Sequence, residues 1–183
     1  REIKKLKNTF QVNHSVHVGQ GIFPLYMFCG GKPIFKCRRV GQFNESFILY
    51  KFRSMHIGTP VVSSNSLINP KYFMLPFGAF LRHFSIDELP QLWNVVRGEL
   101  SLVGPRPCLR SQYFLIEERR RRGIDILRPG ITGYAQVNGR DKISLEEKIR
   151  LDMYFLNNQS TQLYFRILFR TVRVWLVGSN VSH

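Results

Sequence analysis

Between Phe84 and Asp141 glycine and proline recur so often that the chain has room only for short elements. Pro90, Gly98, the Gly104–Pro105–Arg106–Pro107 turn, Gly123, Pro129, Gly130, Gly133 and Gly139 each interrupt a helix or strand, by a missing amide donor or by backbone freedom. The spacing predicts a helix over about 90–97 closed by Gly98 and another over 108–122, whose basic last turn (Arg119 to Arg122) runs into Gly123. Two segments are left over, SLVGPRP (101–107) and RPGITGYAQVNGRD (128–141). Both make poor element interiors and good anion cradles, so they are expected to be loops.

Inside this punctuated region Asp87 and Glu88 stand side by side where a helix should begin, in a chain with formal net charge +15. Adjacent carboxylates repel, and a helix start or a bound cation keeps both ionised. Two readings stay open. Ser85 and Glu88 have capping-box spacing, with the acids complementing the first-turn dipole. Alternatively the pair is a chemical site. Pro90 speaks against a regular cap, because at the fifth helical position it removes an amide that should be bonded; the helix either starts nearer Leu89 or is distorted there.

Upstream, residues 33–40 and 46–53 are rich in Ile, Phe and Val and are separated by GQFNE, which predicts a β-hairpin with Lys51 and Arg53 on one face of its second strand. Residues 56–72 read as loop. Downstream, Ser144 and Glu147 open a helix expected to reach Leu156. A last helix over about 160–177 carries Arg166, Arg170 and Arg173 on one face, with Leu163, Ile167, Phe169, Val172, Trp175 and Leu176 over the remainder. It is either a basic amphipathic helix for anionic lipid or a core helix with a solvated Arg stripe.

Twenty-seven Lys and Arg against twelve Asp and Glu point to an anionic partner: nucleic acid, an acidic membrane surface or a phosphorylated substrate. Cys29, Cys37 and Cys108 form no CxxC pair, and the five histidines make no metal-ligand set, so the chain reads as a reducing-compartment protein with no structural metal. No stretch reaches the ~18 apolar residues of a spanning helix. The segment GIFPLYMFCGG (21–31) is a re-entrant or interfacial stub at best.

Four runs carry a family resemblance: KFRSM (51–55), FLRHFSIDELPQLWNVVRGELSLVGPRP (80–107), RPGITGYAQVNGRD (128–141) and LDMYFLNNQS (151–160). In this order they resemble the bacterial sugar transferases that begin glycan assembly on a polyprenol phosphate. The resemblance implies an α+β, mainly helical, monotopic membrane-associated domain with a small β-hairpin and long Gly/Pro-rich loops. Residues 32–183 would form the catalytic domain. Residues 1–31 would be a divergent or truncated N-terminal segment, since REIKKLKNTFQVNHSVHVGQ is too polar for the family's membrane-inserted one.

It further implies an enzyme at the cytoplasmic face of the bacterial inner membrane, with a UDP-sugar and undecaprenyl phosphate as substrates and Mg²⁺ as cofactor. Asp87 would attack the sugar-bearing phosphate and Glu88 would hold Mg²⁺. Arg82 and Arg106 would clamp phosphate, and Lys51 and Arg53 would reach the same anion or the lipid phosphate. Arg128 and Arg140 would flank the nucleotide loop, and Asp152 would assist the metal or orient an arginine. A helix-surface aspartate is the plainer reading of Asp152. On these terms no nucleic acid is expected as a partner. An inactive or scaffolding version of the same fold and a basic nucleic-acid-binding module are the alternatives.

Overall fold

The structure, a computed structural model, describes residues 32–62, 69–139 and 143–177. The expected N-terminal segment and Arg140 lie outside these residues. Strands β1 (Ile34–Val40) and β2 (Ser46–Phe52) form the expected antiparallel hairpin, with Ile34 opposite Phe52, Cys37 opposite Leu49 and Val40 opposite Ser46. Its tight connection places Phe43 and Asn44 at φ +52° and +61°, a left-handed conformation that asparagine takes readily and phenylalanine only with strain. One face of the hairpin is apolar: Phe35, Cys37, Phe47 and Leu49 pack on Val95, Leu100 and Ile131. By the period of two, Lys51 continues that face beyond Leu49.

After β2 come α1 (Gly78–His83), a 3-10 turn over Ile86–Glu88 and α2 (Gln91–Val96). Helix α1 was not expected from sequence, because its six residues are too few to show a period. The capping box is not formed. Ser85 itself adopts φ +53° and its hydroxyl caps nothing, so the chain kinks into a 3-10 turn that ends before Pro90. Pro90 then precedes α2, and Gly98 closes that helix at φ +75°. The proline that forbade a continuous helix thus separates the acid pair from the helix behind it.

The two segments expected to be loops contain short strands. β3 (Ser101–Val103) and β4 (Gly130–Thr132) pair in parallel, and α4 (Tyr134–Val137) follows directly. The cause is the absence of Cβ atoms. A side chain on Gly104 would collide with the Arg128 carbonyl, one on Gly130 with the Gly104 amide, and one on Gly133 with the Gly104 carbonyl. Backbone therefore packs on backbone, and residues that look like breakers serve as a contact surface.

Helix α3 (Tyr113–Arg121) starts later than spacing suggests, because Val40 and Cys108 form an isolated β-bridge; it ends before Gly123, which sits at φ +68°. Helix α5 (Leu145–Asn157) has the predicted cap, with the Ser144 hydroxyl accepting from the Glu147 amide at 3.1 Å. Helix α6 (Thr161–Val177) packs Leu163 and Ile167 against Val103 and Phe155. A second cluster joins Val40, Cys108, Leu115, Ile124 and Ile149. Full burial of one such side chain contributes about 1.5–3 kcal/mol, so these clusters tie α3, α5 and α6 into the frame that carries the segments around the acid pair. The molecule is α+β, with a larger share of helix than of strand. Among the described residues no helix is long and apolar enough to cross a membrane.

Candidate active site

Asp87 lies in the 3-10 turn with 7% of its surface exposed. Lys51, at the open end of the hairpin's inner face, places Nζ 2.7 Å from Glu88 Oε1 and 3.9 Å from Asp87 Oδ2. Arg106, from the Gly-Pro-Arg-Pro turn after β3, brings Nη1 to 3.8 Å from the same Glu88 oxygen. Three separate pieces of chain therefore meet at the acid pair.

The two acids are treated differently. Glu88 accepts the short charge-assisted bond from Lys51. Asp87 has no hydrogen-bond partner for its carboxylate among the described residues. Burial raises its pKa above the usual aspartate value; Lys51 is the largest opposing influence, Glu88 adds to the rise, and Arg82 and Arg106 oppose it. Asp87 is thus a desolvated, lightly held carboxylate beside a firmly held one.

The remaining expected residues divide. Arg82 is close enough to act on Asp87 electrostatically, with Nη1 turned toward Met55 Sδ at 3.5 Å. Arg53 turns to the start of the hairpin: Nε donates to the Lys32 carbonyl at 2.8 Å and the guanidinium lies over the Phe35 ring. Arg128 is exposed at the start of the second Gly-rich segment.

Asp152 requires a correction. It is neither a helix-surface residue nor available to phosphate or metal, being 2% exposed with Oδ2 bound to Arg119 Nη2 at 2.6 Å and Nε at 3.1 Å. It orients an arginine, and that arginine is Arg119. Arg119 Nη1 in turn donates to the Arg106 carbonyl at 2.8 Å and to Cys108 Sγ at 2.9 Å. Burial pulls the arginine's pKa down, but the Asp152 carboxylate, with Cys108, more than offsets this, raises it above the usual value and keeps it charged in the interior. The buried pair holds the backbone from which Arg106 reaches Glu88. Arg119 was hidden in sequence as one of four consecutive arginines.

The elements flanking the acid turn in sequence expose apolar side chains. Phe77, Phe80 and Phe84 beside α1, and Leu92, Trp93 and Val96 on α2, are exposed. On α6 the division differs from the expected one: Leu163, Ile167 and Thr171 are buried, whereas Phe165, Phe169 and Val172 share the exposed side with Arg166, Arg170 and Arg173. The helix is a core helix on one face and a basic, aromatic surface on the other.

Two adjacent acids with Lys51 and Arg106 within 4 Å, and Arg82 acting on Asp87 from further away, form the candidate site. The sequence profile of the bacterial sugar transferase family matches residues 21–178, and the chain belongs to that family of transferase enzymes. It is 43% identical over 153 residues to the uncharacterized sugar transferase EpsL of Bacillus subtilis (strain 168), covering 83% of this chain and 74% of that one. The galactosyl transferase CpsE of Streptococcus agalactiae is 35% identical, covering 84% of this chain and 36% of its own length. The undecaprenyl-phosphate galactose phosphotransferase of Salmonella typhimurium is 33% identical, covering 96% and 41%. The chain therefore spans about three quarters of the Bacillus protein and well under half of the other two.

Proposed function

We propose that this protein transfers a sugar 1-phosphate from a UDP-sugar to undecaprenyl phosphate in exopolysaccharide synthesis, through a covalent intermediate on Asp87. The observation that carries the reading is the unequal acid pair. A carboxylate needs no general base to become a nucleophile, only relief from the charge of its target and a lone pair not already engaged. Both are met at Asp87, with Lys51 and Arg106 near and no hydrogen bond from the described residues to give up.

In the first half-reaction an Asp87 oxygen attacks the sugar-bearing phosphorus. A new O–P bond forms, the bridging P–O bond breaks, and UMP leaves with the electron pair. In the second, a phosphate oxygen of undecaprenyl phosphate attacks the same phosphorus and the bond to Asp87 breaks, which regenerates the carboxylate. Lys51, Arg82 and Arg106 offset the negative charge accumulating on the phosphoryl oxygens. One phosphoanhydride replaces another, so net driving force is small.

Mg²⁺ suits the donor set only as a shared ion. Among the described residues no three His, Cys, Asp or Glu side chains form a metal cluster, and Mg²⁺ accepts one or two carboxylates together with substrate oxygens and water. Glu88 would hold it, and when bound it would supply further charge neutralisation at the phosphates. The lipid acceptor implies a membrane at the site, and the proposed location is the cytoplasmic face of the inner membrane. The exposed aromatic residues bracketing Asp87, and the Phe and Arg side of α6, support an interfacial, monotopic placement.

Incubation of the chain with UDP-galactose or UDP-N-acetylgalactosamine, undecaprenyl phosphate and Mg²⁺ in detergent tests the proposal. These donors follow the names of relatives such as the N-acetylgalactosamine phosphotransferase of Aeromonas hydrophila. UMP release that Asp87→Asn abolishes is expected. Full activity in Asp87→Asn contradicts it.

A further inference from the structure

Asn94 lies on α2, six residues beyond Glu88, and is completely buried at 0% exposure. Its carboxamide is spent on the edge of β2. Oδ1 accepts from the Tyr50 amide at 3.2 Å and Nδ2 donates to the Ile48 carbonyl at 2.7 Å. In a strand, residues 48 and 50 present their amides and carbonyls on one edge, and among the described residues β2 has a strand partner on its other edge only. A donor to residue i−1 and an acceptor from residue i+1 is the pairing that a parallel neighbouring strand makes. The side chain of Asn94 thus occupies the place of an extra strand residue.

The remaining Nδ2 hydrogen donates to Glu99 Oε2 at 2.7 Å, and the Asn94 main-chain carbonyl receives the amides of Glu99 and Leu100. Val95 of α2 also packs into the apolar cluster that holds Cys37 and Leu49 of the hairpin. Apolar packing resists separation but sets register poorly, whereas two directional bonds to alternate strand residues allow one register.

Register matters here because the site is divided between these two elements. Lys51 is the residue after Tyr50, and the turn holding Asp87 and Glu88 is separated from α2 by two residues. We infer that Asn94 is a positioning residue: it locks β2 to α2 in the register that brings Lys51 to the Asp87–Glu88 pair. The catalytic consequence rests on the transferase reading above; the mechanical part does not.

The test is therefore a measurement that needs no turnover. The whole chain is treated briefly with acetic anhydride, and acetylation of Lys51 is read by mass spectrometry relative to the exposed Lys36 and Lys71. In the wild type Lys51 is expected to react slowly, being ion-paired and mostly covered. Asn94→Ala is expected to raise the Lys51 ratio several-fold while circular dichroism stays native. Ile167→Val, a core change on α6, is expected to leave it unchanged. Glu99→Gln, which still offers Nδ2 an acceptor, is also expected to leave it unchanged. Should Asn94→Ala not fold, Asn94→Ser, which keeps one hydroxyl at the strand edge, reads the same ratio.

In the transferase assay Asn94→Ala is expected to lower kcat with little change in KM, and Lys51→Met in that background to add little further loss. A wild-type Lys51 ratio in a folded Asn94 variant overturns the inference. So does an equal rise in Glu99→Gln, which would move the effect from the strand edge to Glu99. A raised ratio with unchanged kcat, in a protein that Asp87→Asn inactivates, overturns the catalytic part alone.

Discussion

At the scale of the residue, the two acids differ in what they cost the fold. Asp87 is buried with no hydrogen bond to its carboxylate among the described residues, and its raised pKa means that the folded state binds the proton more tightly than the unfolded one. Below the unfolded value of about 3.9 the group is protonated in both states and costs nothing; as pH rises through the folded value, stability is lost. Asp87→Asn is accordingly expected to be inactive and, in metal-free buffer, more stable than the wild type at pH 7, with the advantage vanishing toward pH 3. Urea titrations at the two pH values check this, and a variant less stable at pH 7 contradicts it. Asp152 predicts the reverse. Asp152→Asn leaves Arg119 as an uncompensated buried charge, for an expected loss of about 3–5 kcal/mol in urea unfolding. It is also expected to lower activity, since the Arg106 carbonyl loses its anchor.

At the scale of the element, legibility followed length and locality. The hairpin, α5 and α6 were readable within a residue or two, because each has a period long enough to show or a cap of the standard type. The short strands within 101–107 and 128–139 are not legible in sequence, because Gly104, Gly130 and Gly133 act through a partner more than twenty residues away, and no local rule reports that a missing Cβ faces another backbone. The 3-10 turn carrying Asp87 was half legible: Pro90 excluded a regular helix, but the left-handed Ser85 carries no sequence mark. Asn94 and Arg119 carry no sequence mark, one being one of two polar residues in a helix too short to show a period and the other masked by charged neighbours.

The expected arginine stripe of α6 is real, and the structure adds Phe165, Phe169 and Val172 to its side. A basic residue near an anionic membrane surface is worth about 1 kcal/mol. Replacing Arg166, Arg170 and Arg173 together by Gln is therefore expected to weaken binding to phosphatidylglycerol vesicles by about 100-fold at low salt, read by vesicle sedimentation. An unchanged affinity would move the lipid contact to the aromatic residues of α1 and α2.

At the scale of the whole molecule, three pieces of chain distant in sequence converge on one acid pair. The hairpin brings Lys51, the kinked turn brings Asp87 and Glu88, and the glycine-packed strands with the buried Arg119–Asp152 pair bring Arg106. Each approach is fixed by something rigid: a strand edge, a proline, a backbone contact, a buried ion pair. The proposed transfer between two highly charged phosphates would need such rigidity, because a misplaced cation would leave Asp87 facing the charge of its target unrelieved. The central claim is that the phosphosugar is held covalently by Asp87 between the two half-reactions. The most direct measurement mixes the enzyme with UDP-sugar labelled in the sugar-bearing phosphate, with no lipid acceptor present. The account predicts a stoichiometric burst of UMP and the mass of a sugar phosphate on the peptide containing Asp87, neither seen in Asp87→Asn. UMP release that requires undecaprenyl phosphate, with no label on the protein, would contradict it.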